Sequence, residues 1–140
     1  MADAGAGHAG AAPAVVRANA LAAAGSLAHD QGDRAEARRR YEDALPLARR
    51  SGDDDALATA TSNLGRLLVG DGDYPAARAL LEETLLIRRR QDDRWGIANA
   101  LHNLGYLAHL AGEPEAARDW YEQSLAAKRA INDLQGPPSR

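Results

Sequence analysis

Apolar side chains fall at Leu57, Ala60, Leu64, Leu67 and Leu68, the three- and four-residue spacing that lines one face of an α-helix. Gly70-Asp71-Gly72-Asp73 breaks that pattern, and a second helical face follows at Ala77, Leu80, Leu81, Leu85 and Ile87 before Gln91-Asp92-Asp93 ends it. Asp53 or Asp54 can cap the first of these helices, and Asp73 the second, with Pro75 in its first turn. The same two-helix reading recurs with Leu101, Leu104 and Leu107, a break at Gly112, Pro114 in a first turn, then Ala117, Tyr121 and Leu125. Upstream, a helix is expected to begin near residue 14, because Pro13 occupies the position of Asp53 and Asp93.

The recurrence is a repeat of 40 residues without insertion. Ten columns are identical in all three copies: Ala20/Ala60/Ala100, Gly25/Gly65/Gly105, Leu27/Leu67/Leu107, Gly32/Gly72/Gly112, Ala37/Ala77/Ala117, Arg38/Arg78/Arg118, Glu42/Glu82/Glu122, Leu45/Leu85/Leu125, Arg49/Arg89/Arg129 and Asp53/Asp93/Asp133. The reading is therefore three helix pairs, at 14–53, 54–93 and 94–133, with a disordered Ala/Gly-rich head at 1–13 and a disordered tail at 134–140. A glycine inside a helix costs about 1 kcal/mol relative to alanine, so Gly25, Gly65 and Gly105 point to close approach of a neighbouring helix. Tyr41, Leu81 and Tyr121 are expected to fill the space beside them. Pro46 stands inside a predicted helix and is expected to kink it.

Composition narrows the class. The chain has 32 Ala and 18 Leu against 3 Val, 3 Ile and no Phe, which argues for an all-α fold. It has no Cys, which excludes disulfides and thiolate chemistry and fits a reducing cytoplasm. No apolar run is long enough to span a membrane, and the formal net charge of -3 gives no field that would gather nucleic acid. The Arg38 to Arg40 and Arg88 to Arg90 runs are basic only locally, since Arg38-Glu42, Arg78-Glu82 and Arg118-Glu122 are spaced to pair along one helix. No metal site, cofactor or catalytic pair is expected: His102 and His109 lie seven residues apart, about 10.5 Å along a helix, too far to share one ion.

Asn63-Leu64-Gly65 with Leu68, then Ala77 and Leu81; Leu101 and Asn103-Leu104-Gly105, then Ala117, Tyr121 and Ser124; and Leu21, Gly25, Ala37, Tyr41 and Ala44 resemble the tetratricopeptide repeat family. The resemblance covers about residues 18–133, with the longer 40-residue period seen in kinesin-light-chain-like arrays and in bacterial regulators. It implies a right-handed superhelical solenoid of three antiparallel helix pairs. It also implies a non-enzymatic, cytoplasmic, bacterial protein-binding scaffold whose first helices line a concave groove. The family's ligand-contacting columns carried onto this chain include Asn63, Arg66, Asn99, His102, Asn103, Tyr106 and His109. Asparagine amides there suit the backbone of an extended peptide, Arg66 suits a carboxylate, and Tyr106 offers a flat apolar contact. No groove column carries Lys, which disfavours the family's lysine-dependent clamp for chaperone tails. The alternative is a sensory or effector-binding fragment of a larger bacterial transcriptional regulator. Trp120, Tyr121 and Leu125 on the last helix, with no further repeat to cover them, are expected to support self-association, with a homodimer as the expected form.

Overall fold

The computed structural model describes residues 12–135, which form six α-helices and no strand. They are α1 (Ala14–Asp30), α2 (Arg34–Ser51), α3 (Asp54–Asp71), α4 (Tyr74–Arg90), α5 (Arg94–Leu110) and α6 (Pro114–Gln135). The order matches the helix pairs read from the repeat. Nearly all of the head and tail, 1–11 and 136–140, lies outside the described residues, while α6 continues through Leu134 and Gln135. Two compact units divide the chain, 1–63 and 64–140, with the boundary inside α3.

In the first unit α1 and α2 pack against each other, and Ala18, Leu47, Ala48, Ala56 and Ala60 form a buried cluster flanked by Val15, Leu21, Leu45 and Leu57. Gly25 is buried there because a Cβ at that position would stand 2.6 Å from Cε1 of Tyr41. Tyr41 fills the space that glycine leaves, and its hydroxyl lies 3.0 Å from that of Ser26. Helix α2 runs unbroken across Pro46, which sits on the exposed side where water can replace the missing backbone donor.

The second unit repeats this packing twice. A Cβ on Gly65 would lie 2.9 Å from Cδ2 of Leu81, and one on Gly105 would lie 2.7 Å from the Tyr121 ring. Three equivalent glycines thus face three equivalent large side chains, and Ala37, Ala77 and Ala117 are all buried nearby. Ala18, Ala58 and Ala98 form a further buried column that the ten identities above did not include. The buried hydroxyls of Thr61 and Thr84 bond back to carbonyls of their own helices, whereas that of Ser124 reaches across to the carbonyl of Ala98 at 2.9 Å, tying α6 to α5.

Turn chemistry follows the repeat with one exception. Gly32, Gly72 and Gly112 take φ near +80°, and after them Asp33, Asp73 and Glu113 donate backbone N–H bonds to the carbonyls of Ala28, Leu68 and Ala108. Asp53 and Asp93 cap α3 and α5 by accepting from the N–H of Ala56 and of Gly96, both at 2.9 Å. Asp73, expected to do the same for α4, makes no side-chain capping bond; Pro75 removes one of the two backbone donors that a cap uses. Between the helix pairs Gly52 adopts φ 70°, but its equivalent Asp92 holds φ 53° with a side chain present. Asp92→Gly is therefore expected to raise stability by about 0.5–1 kcal/mol, visible as a melting point about 2 °C higher by circular dichroism. The exposed Arg94–Asp92 pair lost in that variant, at 4.0 Å, contributes little.

Candidate functional site

The residues assigned to a groove by their columns separate into distinct environments. Arg66 and Val69 from α3, Leu81 from α4, and Asn103 and Tyr106 from α5 line one depression of about 240 Å³ in the second unit. Its floor includes the same Leu81 that abuts Gly65, so one buried side chain belongs both to the core and to the depression. Tyr106 is 50% exposed, Arg66 is exposed and Asn103 half-buried, so a cation, an amide and a phenol present themselves over an apolar base. The repeat pattern marks Leu81 as core; that it also lines this depression was not read from the columns.

The other groove candidates lie elsewhere. Asn99 is exposed and lines neither depression. His102 packs on Tyr121, their ring centroids 5.3 Å apart and tilted by 50°, which gives it a partner on α6. His109 lines a second, more apolar depression of about 380 Å³ with Pro114, Ala117, Arg118, Tyr121, Glu122 and Leu125. Two of the three self-association candidates, Tyr121 and Leu125, meet there; Trp120 is half-buried and does not line it. Asn63 is half-buried at the end of the first unit.

The basic runs are drawn into the charge network of the helices. Arg38 bonds to Glu42 at 2.9 Å, and Glu36 receives both Arg39 and Arg40. Hydrogen bonds from Arg39 and then Arg40 hold the Glu36 carboxyl below the usual carboxylate range. The small stabilisation this gives is present at neutral pH and fades as acid protonates Glu36. Arg88 contacts Asp93 at 3.3 Å and donates to Gln91. Arg78 does not follow the expected spacing: it donates to Glu113 at 3.0 Å, reaching from α4 to the cap position of α6. No group of three His, Asp or Glu side chains among the described residues is placed to hold a metal ion, and no described helix is long and apolar enough to cross a membrane.

The tetratricopeptide repeat profile matches residues 16–90 and again 57–130. Comparison with curated proteins gave no match. Among solved structures, the TPR domain of Arabidopsis FLU is similar, with a TM-score of 0.76 over 84% of this chain and 99% of that one at 22% identity, a likeness of fold. Helix pairs in register with the 40-residue repeat, glycines facing Tyr41, Leu81 and Tyr121, and a profile matched across most of the chain lead to one conclusion: this protein belongs to the tetratricopeptide repeat family.

Proposed function

We propose that the chain is a non-enzymatic scaffold that holds an extended segment of a partner protein in the depression between α3 and α5 of the second unit. The tetratricopeptide repeat is a protein-interaction fold, and the observation that carries the finer reading is the convergence of Arg66, Asn103 and Tyr106 over Val69 and Leu81. An asparagine amide both donates to and accepts from a peptide backbone, so Asn103 can grip an extended chain whatever its sequence. Arg66 selects a carboxylate, and Tyr106 covers an apolar side chain at low entropic cost. The segment favoured is thus extended, with an acidic group next to an apolar one. At about 240 Å³ the open depression falls below the usual 300–1,000 Å³ of small-molecule sites, which favours a peptide over an enclosed effector of a regulator.

Extended peptides selected by display on the full chain provide the test, with affinities read by calorimetry. Asn103→Ala and Tyr106→Ala are each expected to weaken binding about tenfold with the helical circular-dichroism signal intact, since both side chains lie at the protein surface. Unchanged affinity in both variants would move the partner off this depression. Asn63→Ala in the same assay reads whether the first unit takes part.

A further inference from the structure

The two ends of the repeat array expose the faces that its interior buries. On first helices, Leu67 and Leu107 are 4% and 1% exposed, whereas the equivalent Leu27 on α1 is 59% exposed. Ala60 and Ala100 are buried and Ala20 is exposed; Ala56 is buried and Val16 is 52% exposed. Val16, Ala20 and Leu27, with half-buried Ala24, make one stripe along α1. On second helices the last copy is the exposed one: Leu45 is half-buried, Leu85 is 6% exposed and Leu125 is 48% exposed. The depression on α6 at Ala117, Tyr121 and Leu125 is the unfilled counterpart of the α4 face that α5 covers.

We propose that copies of this chain associate head to tail, the α1 stripe of one molecule seating on the α6 depression of another. The contact continues an interface the chain already makes. In the first unit, Leu45 of α2 packs in one cluster with Ala56 and Ala60 of α3; two repeats further along, Leu125 occupies the Leu45 column, and Val16 and Ala20 of a second copy supply the Ala56 and Ala60 columns. Charge agrees with this register. Arg78 bonds to Glu113, and the equivalent columns at the junction are Arg118, which lines the α6 depression, and Asp33, exposed at the start of α2 in the second copy. The junction also sets Lys128 beside Val16, bulkier than the internal Ala48/Ala56 and Arg88/Gly96 pairs, so the lysine stem must lie along the valine and the contact is weaker than an internal one. Because the two faces differ, the contact is heterologous and leaves one face of each kind open until a ring closes. This separates it from a symmetric dimer joining two α6 faces.

Sedimentation velocity of the full chain from about 1 μM to 1 mM is expected to show mass rising with concentration. Leu27→Glu blocks the α1 face and Leu125→Glu the α6 face, so each variant alone should remain monomeric. An equimolar mixture retains one good face of each kind and should form dimers and nothing larger. Dimers of Leu27→Glu alone would assign the contact to α6 against α6 and overturn the proposal. A wild-type chain monomeric at 1 mM, or a mixture that stays monomeric, would overturn it too. Circular dichroism checks that the variants fold; if either glutamate lowers helicity, Leu27→Gln and Leu125→Gln make the same comparison with a smaller perturbation.

Discussion

Gly65→Leu is expected to lower stability by about 3 kcal/mol, a fall of roughly 10 °C in the melting temperature. Even a Cβ at this position meets Leu81 Cδ2 at 2.9 Å and Cγ at 3.0 Å, and a whole leucine needs far more room than that gap leaves beside the buried Leu81 side chain. A leucine must therefore push α3 and α4 apart or force both side chains off their preferred rotamers. Arg39→Ala is the control. Its bond to Glu36 lies on the surface and Glu36 keeps Arg40, so melting should be unchanged within error. Equal losses from the two substitutions, followed by thermal and urea melts, would show that the buried and exposed faces of the helices are misassigned.

Leu81→Ala should cost about 3–4 kcal/mol, the transfer free energy of a fully buried leucine plus the cavity it leaves. The same substitution should reverse the sign of a second one. In the wild-type background Gly65→Ala gains about 1 kcal/mol of helix propensity and loses at least as much to the Leu81 contact. With Leu81 shortened the clash is gone, so Gly65→Ala should stabilise the variant by up to about 1 kcal/mol. Urea melts of the four proteins form a double-mutant cycle. Additive behaviour would mean that the two positions do not share one space. Gly105→Ala is expected to cost more than Gly65→Ala, because a tyrosine ring swings aside less readily than a leucine methyl.

The candidate site was legible only in outline. The repeat register placed Arg66, Asn103 and Tyr106 on first helices, and the depression unites them; it placed His102 and His109 in other ligand-contacting columns of the same helices, yet one packs on Tyr121 and the other lines the α6 face. Column position fixes the side of the helix from which a residue projects. Which neighbour it meets depends on side-chain size and on whether another helix follows. Arg78 makes the same point: its spacing suits Glu82, but Glu113, at the turn between α5 and α6, lies within reach, and sequence distance along one helix does not weigh that alternative.

By itself, the sequence determined that the fold is all α, roughly where its six helices start and stop, and which columns of the repeat are apolar. Those properties rest on local physics: the spacing of apolar residues, Asp caps, glycines at left-handed turns, and a repeat that writes each rule three times. The tertiary structure decided what meets what. It showed that glycine columns make room for specific Tyr and Leu side chains, that Leu81 is both core and cavity floor, and that identical leucines are buried in the interior and exposed on α1 and α6. A repeat carries the same letters at its middle and at its ends, and only the presence or absence of the next helix makes one copy core and another copy surface.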